Sequence, residues 1–429
     1  MTDVDILVVG AGPGGLAAAS VAAEAGRRVL VVDESAVLGG QYLRPHPPRP
    51  VDTPLVRRFR LSGADIALGE TVWHVDAAAR RVSTTTVDVS FDRLVVATGA
   101  FDRPLAVPGA RLGGVVTAGA AQALAKDGVR LGRQVLLVGS GPFLLPVARE
   151  LLRTRAGIVE LALDRLPWLG GAPLHAPGVV AEAAAYAAAL TRGRVPVRPG
   201  WYLREVLGAD TVTGAVLAGL PGGRHEGRVR QVACDVVAMG YGFLPQLAVA
   251  DLAGCRMRFD AVQRTWFVDV RRGDMRTSVP GVYAVGEVTG IGGHRKAVAD
   301  GLLAGHVVGG VPVPSSVRRI VSSRRRFAES ARHALAPPPL AAAVAGEALV
   351  CRCETVTAGE IRAAAHDGGA NVQGVRMRTR CGMGPCQARM CGQLCAELVA
   401  ETAGTAVAAA GRLSCRVPAR PTSLERMLA

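Results

Sequence analysis

The opening of the chain constrains its fold more than any other feature. Residues 5–35 read DILVVGAGPGGLAAASVAAEAGRRVLVVDES: an apolar strand, a glycine turn, an alanine-rich helix and a second apolar strand. Gly10, Gly12 and Gly15 form GxGxxG where the strand gives way to the helix. The first glycine permits a tight turn, the second lets a pyrophosphate approach the backbone, and the third lets the helix pack closely on the strand. The pattern predicts a βαβ unit that binds a dinucleotide.

The end of the second strand indicates which nucleotide fits. Asp33 lies there, where a carboxylate can hold both ribose hydroxyls of an adenosine. An acid at this position disfavours a 2′-phosphate, so FAD, NAD or ATP is favoured over NADP. The same turn contains Gly14, and phosphates would lie on the free N–H groups of the helix N-terminus. The alternative is a glycine-rich turn that binds no nucleotide.

A second unit of the same kind spans residues 133–164. Gly139 and Gly141 begin its glycine motif, but Leu144 replaces the third glycine, and Asp164 stands where an acid would face a ribose. The bulky residues of GSGPFLL would crowd a pyrophosphate at the helix start. NAD(H) binding is therefore the less favoured prediction, and a unit kept for packing or for subunit contact is the favoured one.

Length and charge exclude some classes of protein. A chain of 429 residues suggests two or three domains. The net charge of +15 comes from scattered arginines, with Lys126 and Lys296 as the only lysines, and no nucleic-acid-binding motif accompanies it. We therefore expect no nucleic-acid partner. The arginine-dense residues 315–335 predict an exposed helical arm, or a docking surface for an acidic partner subunit.

The N-terminus lacks the pattern of a signal peptide, and no apolar run is long enough to span a bilayer. These features predict a cytoplasmic protein, with peripheral membrane association only through a complex. Changes in composition predict four regions. They are a discontinuous FAD-binding domain (1–105 and 275–312), a second NAD-like dinucleotide domain (106–274), a helical arm and linker (313–345), and a C-terminal domain (346–429).

The C-terminal region holds seven of the nine cysteines. Disulfides do not suit a reducing compartment, whereas a zinc site with four sulfur ligands remains open. A [2Fe–2S] cluster fits best, because CxC supplies one pair of thiolates and Cx4C the other. The predicted cluster ligands are Cys351, Cys353, Cys381 and Cys386. Two further thiols, Cys391 and Cys395, are four residues apart in a helical pattern and are predicted to pack in the core.

Three companion motifs favour FAD in the first unit. LGGQYLR (38–44) contains Gly40 and Gln41, ATGA (97–100) contains Thr98 and Gly99, and TSVPGVYAVGE (277–287) ends in Gly286 and Glu287. These motifs resemble those of glutathione-reductase-type flavoproteins with two dinucleotide domains. The resemblance implies that the final acid, Glu in place of the usual Asp, binds the ribityl or pyrophosphate part of FAD. No cysteine pair follows Gly40, so dithiol exchange beside the flavin is not expected.

Residues 351–392 resemble the [2Fe–2S] domain of bacterioferritin-associated ferredoxin. Placed after a flavoprotein body, it makes nearly the whole chain similar to the α (A) subunits of heteromeric amino-acid and opine dehydrogenases, such as opine oxidase, proline and hydroxyproline dehydrogenases and hydrogen cyanide synthase. The resemblance implies an α/β two-dinucleotide-domain fold plus a small helical cluster domain. It also implies a β subunit that oxidises the amine on its own FAD and, in some members, FMN at the subunit interface and an adenine nucleotide in the α site.

The resemblance thus predicts a subunit with FAD and a [2Fe–2S] cluster that relays electrons from an amine to a quinone, a ferredoxin or a dye. No residues are predicted to perform acid–base catalysis. Two other functions remain open: a self-sufficient NAD(P)H-dependent flavin or ferredoxin reductase, and a non-catalytic nucleotide-binding scaffold. The sequence does not identify the amine.

Overall fold

The computed structural model describes residues 2–44, 52–166, 178–368 and 370–428. Within these ranges the chain forms two units built on parallel sheets, followed by a helical arm and a small helical unit. The two sheets follow from the buried apolar runs that alternate with helices along the chain.

The first sheet has β1 at its centre, paired in parallel with β2 on one side and β6 on the other. Its strand order is β3-β2-β1-β6-β5-β4. Its strands are β1 (Thr2–Val9), β2 (Val29–Asp33), β3 (Asp65–Leu68), β4 (His74–Asp76), β5 (Arg81–Ser83) and β6 (Asp88–Val96). A late strand, β19 (Val282–Ala284), adds to the C-terminal half of β6 in parallel, so the chain returns to the first unit after building the second.

Small residues bring two helices of the first unit unusually close together. The helices are α1 (Pro13–Glu24) and α7 (His294–Gly309). A Cβ at Gly301 of α7 would lie 2.1 Å from the Gly14 carbonyl oxygen, and a Cβ at Gly305 would lie 2.7 Å from the Ala18 carbonyl oxygen. These glycines therefore hold α7 against α1 beneath the first glycine motif. A further helix, α2 (Pro54–Leu61), covers the same sheet face.

The second sheet has the order β11-β10-β9-β15-β8 and is parallel throughout. Its strands are β8 (Val115–Thr117), β9 (Val135–Gly139), β10 (Ile158–Leu163), β11 (Val197–Pro199) and β15 (Val236–Gly240). Its helices are α3 (Ala118–Lys126), α4 (Leu144–Arg153) and α5 (Gly178–Arg192). An antiparallel sheet packs on it, formed by β12 (Trp201–Gly208), β13 (Val212–Gly219) and β14 (Val229–Ala233).

Short elements connect the two units. The strand pairs are β7 (Ala100–Asp102) with β16 (Phe243–Pro245), and β17 (Met257–Asp260) with β18 (Thr265–Val268). A five-residue helix, α6 (Ala248–Leu252), and a 3₁₀ turn at Gly286–Thr289 lie beside them.

The arm is the helix α8 (Ser315–Ser330), which leads into the C-terminal helical unit by way of a 3₁₀ turn at Ala341–Ala343. That unit comprises β20 (Leu349–Cys351), β21 (Val356–Thr357), α9 (Ala358–His366), α10 (Val372–Thr379), α11 (Gly392–Ala403), α12 (Val407–Ala410) and α13 (Leu424–Leu428). The first helix, α9, begins with a complete capping box, in which Thr357 and Glu360 satisfy each other's backbone N–H groups.

The C-terminal unit is docked on the rest of the molecule. Apolar residues of the second unit and of the C-terminal unit form one continuous core, which includes Leu136, Tyr241, Ile361 and Leu398. A buried ion pair joins Arg103, just after β7, to Glu397 on α11 at 2.6 Å. The final residues return to the first unit.

Three ion pairs hold that returning segment, one of them between Arg420 and Glu34 at 3.5 Å. Arg412 pairs with Asp251 on α6, and Arg426 pairs with Asp88 on β6 at 2.7 Å. The backbone N–H of Ala419 also donates to the Trp73 carbonyl at 2.8 Å. The C-terminal unit is therefore attached to the flavoprotein body on both sides.

Candidate cofactor sites

The first glycine motif forms an open cradle between β1 and α1. Gly10 has φ +113°, and a Cβ there would lie 2.3 Å from the Ala97 carbonyl oxygen, so only glycine makes this turn. A Cβ at Gly15 would lie 1.9 Å from the Gly10 carbonyl oxygen. Beside Gly12, by contrast, there is free space, since a Cβ there would meet no atom of the described residues within 4 Å. The N-terminus of α1 has no side-chain cap and no acidic residue in its first turn, so its N–H groups suit a pyrophosphate.

Asp33 lies at the edge of this cradle. Its Oδ2 accepts the N–H of Ala11 at 2.6 Å and its Oδ1 accepts the N–H of Ser35 at 2.8 Å. Burial raises the pKa of Asp33, and these two N–H donors oppose that shift. They fix the carboxylate beside the glycine turn, and each of its oxygens keeps a lone pair for a ribose hydroxyl. The cradle and the acid together fit the adenosine diphosphate half of FAD.

Two of the companion motifs close around the same cradle. Gly40 has φ +59°, and a Cβ there would lie 3.0 Å from the Cα of Gly12. The carbonyl of Gln41 accepts a hydrogen bond from the buried Lys126 ammonium at 3.1 Å. The structure therefore places LGGQYLR against the first motif.

Thr98 and Gly99 lie where β6 passes into the strand pair that leads to the second unit. The Thr98 hydroxyl donates to the Gln246 carbonyl at 2.7 Å, and the Gln246 N–H donates to the Gly99 carbonyl at 2.9 Å. Gly99 has φ +73° with nothing within 4 Å of a Cβ. These hydrogen bonds hold together the two segments of chain that connect the units, beside the cradle.

Glu287 turns toward the start of its own helix. Its Oε1 accepts the N–H groups of Gly292 at 3.3 Å and Gly293 at 2.9 Å, just before α7 begins. Burial raises the pKa of this carboxyl, and the positive charge of Lys296 opposes the shift. The preceding Gly286, at φ +77°, packs against Ala297 at the start of α7. The other carboxylate oxygen of Glu287, Oε2, accepts neither of these N–H groups, and the role of Glu287 on FAD stays a prediction.

An aromatic stack beside this helix start is absent from the sequence prediction. The rings of Tyr42 and His294 lie 3.6 Å apart at an angle of 12°. Burial, with a contribution from Arg295, lowers the pKa of His294 to about 4. The imidazole is therefore neutral at physiological pH and packs as an aromatic ring. In the sequence, Tyr42 belongs to the LGGQYLR motif, and nothing in that motif predicts a contact with His294.

The C-terminal unit brings six cysteine side chains close to one another. The Sγ atoms of Cys351, Cys381 and Cys391 all lie within 4.8 Å of one another. The thiols of Cys353 and Cys386 are near enough to each other for Cys386 to raise the pKa of Cys353. The sixth thiol, Cys395, lies behind Cys381 and is fully buried.

Burial differs sharply among these thiols. Cys353 is exposed and Cys386 is partly exposed, whereas Cys351, Cys381 and Cys391 are buried. A hydrogen bond with Cys391, together with burial, raises the pKa of Cys351, and burial and the neighbouring Cys386 raise the pKa of Cys353. Without metal these groups are neutral thiols, and deprotonation accompanies metal binding.

The loop that carries Cys386 lies close to the CxC segment, and this close approach requires a glycine at position 384. A Cβ at Gly384 would lie 2.2 Å from the Cβ of Cys353 and 3.0 Å from its Sγ. Soft thiolate donors arranged in this way fit an iron–sulfur cluster. The arrangement includes Cys391, which the sequence analysis assigned to packing. The signal for it was present, since Cys386 and Cys391 form a second Cx4C spacing.

The second glycine motif has the same turn but no open cradle. Gly139 has φ +152°, and a Cβ there would lie 1.9 Å from the Gly240 carbonyl oxygen. A Cβ at Gly141 would lie 3.3 Å from the carbonyl oxygen of Ala334, which belongs to the segment after the arm. Burial raises the pKa of Asp164 to about 6, and its Oδ2 accepts no hydrogen bond among the described residues.

Comparison with known proteins identifies the family. The model of the pyridine nucleotide-disulphide oxidoreductases matches residues 4–301, and that of the BFD-like [2Fe-2S] binding domain matches residues 349–401. The opine oxidase A subunit of Rhizobium meliloti (strain 1021) is 32% identical, over 98% of this chain and 97% of the relative. The chain belongs to the family of opine oxidase A subunits.

Other similarities agree with this family. Hydrogen cyanide synthase subunit HcnB of Pseudomonas protegens is 28% identical over 93% of this chain and 92% of the relative. The crystal structure of L-proline dehydrogenase from P. horikoshii has the same fold, with a TM-score of 0.71, 18% identity, and coverage of 99% of this chain and 79% of that one. The predicted resemblance and fold class are confirmed.

Membership in the opine oxidase A family also confirms the cofactors. The chain is an FAD-dependent oxidoreductase that carries a [2Fe–2S] cluster. The individual nucleotide and cluster residues, and the boundaries of the four regions, stay predictions. No helix in the described part of the chain has both the length and the apolar character that crossing a bilayer requires.

Proposed function

We propose that this chain is the electron-relay subunit of an amine dehydrogenase. A partner β subunit oxidises an amino-acid-derived amine, and the electrons pass by way of the FAD and the [2Fe–2S] cluster of this chain to a quinone, a ferredoxin or a dye. The proposal rests on one observation above all: a set of converging thiols lies in a unit that shares its core with the flavoprotein body. When bound, the flavin exchanges two electrons and the cluster exchanges one.

The chain's own residues would hold both groups. The free space beside Gly12 and the uncapped start of α1 would take the pyrophosphate, and Asp33 would take the ribose hydroxyls. The N–H groups of the loop around Gly384 lie beside the thiolates, where they can bond the cluster sulfides and tune its reduction potential.

The names of the relatives support the substrate class. Two of them are subunits of opine oxidase and of hydrogen cyanide synthase, and a third protein of the same fold is an L-proline dehydrogenase. An opine, an amino acid or a similar amine is therefore the substrate we propose. The partner β subunit would bind it and determine specificity.

Two sets of four thiols are compatible with the cluster. The sequence prediction combines Cys351 and Cys353 with Cys381 and Cys386. The contacts favour a second set, in which Cys391 replaces Cys381. The Sγ atoms of Cys391 and Cys381 both lie within 4.8 Å of that of Cys351, but Cys391 also interacts electrostatically with Cys386, whereas Cys381 interacts with the deeply buried Cys395. In the second set, the pairs 351–391 and 353–386 lie side by side.

Single substitutions to serine distinguish the two sets. Cys386→Ser should abolish the visible absorbance of the cluster in either case, and Cys395→Ser should leave it. If Cys391→Ser removes the absorbance and the bound iron while Cys381→Ser keeps both, the second set is correct, and the reverse result supports the first. Equal loss from Cys386→Ser and Cys395→Ser would refute both sets.

The relay is tested with the partner. The coding sequence next to that of this chain should encode an amine-oxidase-like flavoprotein, and co-expression should yield a complex. Addition of the amine should bleach both flavin and cluster absorbance, and turnover with a one-electron dye should fall at least tenfold in Cys386→Ser. Amine-driven reduction that never reaches the cluster would contradict the proposal. A purified chain without flavin or iron absorbance would favour a scaffold.

A further inference from the structure

The segment that follows the arm lies in the nucleotide groove of the second unit. This closing segment spans residues 331–340, and it is largely buried: Ala331, Ala334 and Ala336 are 1%, 5% and 8% exposed. The carbonyl oxygen of Ala334 lies 3.3 Å from the position of a Cβ on Gly141, and the Pro337 Cβ lies 3.7 Å from that of Gly242. The segment therefore runs across the carboxyl ends of β9 and β15.

Two arginines anchor the closing segment. The guanidinium of Arg165, just after β10, donates to the Ala336 carbonyl at 2.7 Å. Arg332, inside the segment, pairs with Asp260 at 2.6 Å. Hydrogen bonds of a charged donor are among the stronger contacts in proteins. The segment is thus held at its start and at its middle by Asp260 and Arg165.

The occupied space is the space that a nucleotide needs. In a βαβ unit the pyrophosphate lies at the second glycine of the motif and on the N-terminus of the following helix. Here a peptide carbonyl lies at that glycine, and its partial negative charge would also repel a phosphate. Leu144 replaces the third glycine, and Phe143 packs edge-on against Phe243 at 4.8 Å.

The adenosine end of the groove retains its acid. Asp164 directly follows β10, much as Asp33 ends β2, and its side chain is fully buried. Its Oδ2 lies 3.5 Å from the Arg165 guanidinium and accepts no hydrogen bond among the residues described. A buried carboxylate oxygen without a hydrogen-bond donor is costly. Asp164 therefore keeps the position of a ribose-binding acid, although the closing segment covers the phosphate end of the groove.

We propose that residues 331–340 act as an internal plug that closes the nucleotide groove of the second unit, so that this unit takes no NADH and serves as the seat of the cluster domain. Directly after the plug, the carbonyls of Ala341 and Val344 accept hydrogen bonds from Arg362 on α9, at 2.8 and 2.9 Å. The same stretch of chain therefore fills the groove and joins the cluster domain to the body.

The plug is tested by nucleotide binding to the full chain with its cofactors. Calorimetry should detect no binding of NADH or of ADP-ribose at about 1 mM, which is the range of the weakest specific complexes. Hydrogen exchange should show the amides of 331–340 protected, and NADH should not alter the exchange of residues 139–147. Saturable NADH binding that protects residues 139–147 would overturn the proposal.

Opening the plug should restore the site. In the double variant Arg165→Ala/Arg332→Ala we expect the exchange of residues 331–340 to rise at least tenfold and ADP-ribose to bind at least tenfold more tightly than to the unmodified chain. The matched control is Arg198→Ala, which removes an exposed arginine from the same sheet while Arg230 still pairs with Glu160. Unchanged exchange in the double variant, or ADP-ribose binding equal to that of the unmodified chain or absent from both, would reject the plug.

This inference and the relay fail independently. If NADH binds while an amine still reduces the cluster through the partner, the plug is wrong and the relay stands. If the amine does not reduce the cluster and NADH does not bind, the relay is wrong and the plug stands.

Discussion

The two dinucleotide units share one turn and differ in what lies over it. In each, the first glycine of the motif packs against the carbonyl of a neighbouring strand, with a Cβ-to-oxygen distance of 2.3 Å at Gly10 and 1.9 Å at Gly139. Above the second glycine, Gly12 has free space, whereas Gly141 has the chain's own Ala334. The first glycine is therefore a requirement of the fold, and the space above the second decides whether a ligand can bind.

The acids at the ends of the two second strands differ in the same way. Both oxygens of Asp33 accept backbone N–H groups, whereas one oxygen of Asp164 accepts none among the described residues. A carboxylate kept for a ligand is held in position by the backbone. Burial of the Asp164 carboxylate, with one oxygen that accepts no hydrogen bond among the described residues, costs stability when the group is charged.

The largest effect should come from the glycines that the units share. Gly10→Ala and Gly139→Ala each place a Cβ inside a backbone carbonyl and force a residue with a side chain to adopt a positive φ. We expect each to lower the free energy of unfolding by about 3–5 kcal/mol, measured by denaturant titration. A loss below about 1 kcal/mol at either site would show that the two turns are not equivalent.

The second effect concerns Asp164, whose Oδ2 accepts no hydrogen bond among the described residues. The pKa of Asp164 is about 6 in the folded chain and about 4 when unfolded, so the folded state binds more protons between these values. Its contribution to stability is therefore complete below pH 4 and is lost as the pH rises through 6. We expect Asp164→Asn to stabilise the chain by about 2 kcal/mol at pH 7 and by nothing at pH 4.

The matched substitution in the first unit should act in the opposite direction. Asp33→Asn replaces one of two oxygens that accept backbone N–H groups, and should lower the free energy of unfolding by about 1 kcal/mol at pH 7. Denaturant titrations of both variants at pH 4 and pH 7 measure the contrast. Destabilisation by both at pH 7 would mean that Asp164 has a hydrogen-bond donor after all.

The third effect tests whether the free space above Gly12 binds a ligand. Gly12 has φ −75° and ψ 178°, so alanine fits the backbone, and its methyl group enters only the proposed ligand space. Gly12→Ala should therefore reduce the flavin that copurifies by about tenfold, equivalent to about 1.4 kcal/mol, without lowering the melting temperature of the apoprotein. In Gly141→Ala the flavin content should stay normal, although the positive φ at this residue makes the chain less stable.

The smallest effect is a pH dependence in the first unit. Because the pKa of His294 is about 4 when folded and about 6.5 when unfolded, the unfolded state binds more protons between these values. Stability should therefore fall as the pH drops through 6.5. After allowance for partial exposure, we expect a loss of about 1 kcal/mol by pH 4.5. In His294→Phe, which keeps an aromatic ring against Tyr42, this loss should be absent from the denaturation midpoints.

Local patterns predicted much of this molecule. The glycine turns, the parallel strands and the acids at strand ends each depend on residues within about 30 positions of one another. They can therefore be predicted without the tertiary structure. The cysteine spacing predicted the cluster, and the family resemblance favoured FAD for the first unit. The closing segment was legible only as a linker, because alanine and proline in APPPLAAA carry no periodicity and its position is set by the groove that it fills.

The role of Cys391 was obscured by helix periodicity. Its spacing from Cys395 predicts one helical face, but α11 begins at Gly392, and Cys391 lies at the cap, where its thiol turns toward Cys351 and Cys381. A shift of one residue in the start of a helix is beyond the precision of sequence patterns. It is nevertheless enough to move a thiol from the core to the proposed cluster.

In the proposed relay, the attachment of the cluster domain on both sides limits how its cluster can meet an external acceptor. The plug holds the domain where it begins, and the ion pairs of Arg412 and Arg426 hold its C-terminal side. A domain held in this way cannot swing between donor and acceptor. In the proposed relay, the acceptor would therefore have to reach the cluster on the side of the exposed Cys353, and the rate of its arrival would depend on its charge and on ionic strength, not on the length of a tether.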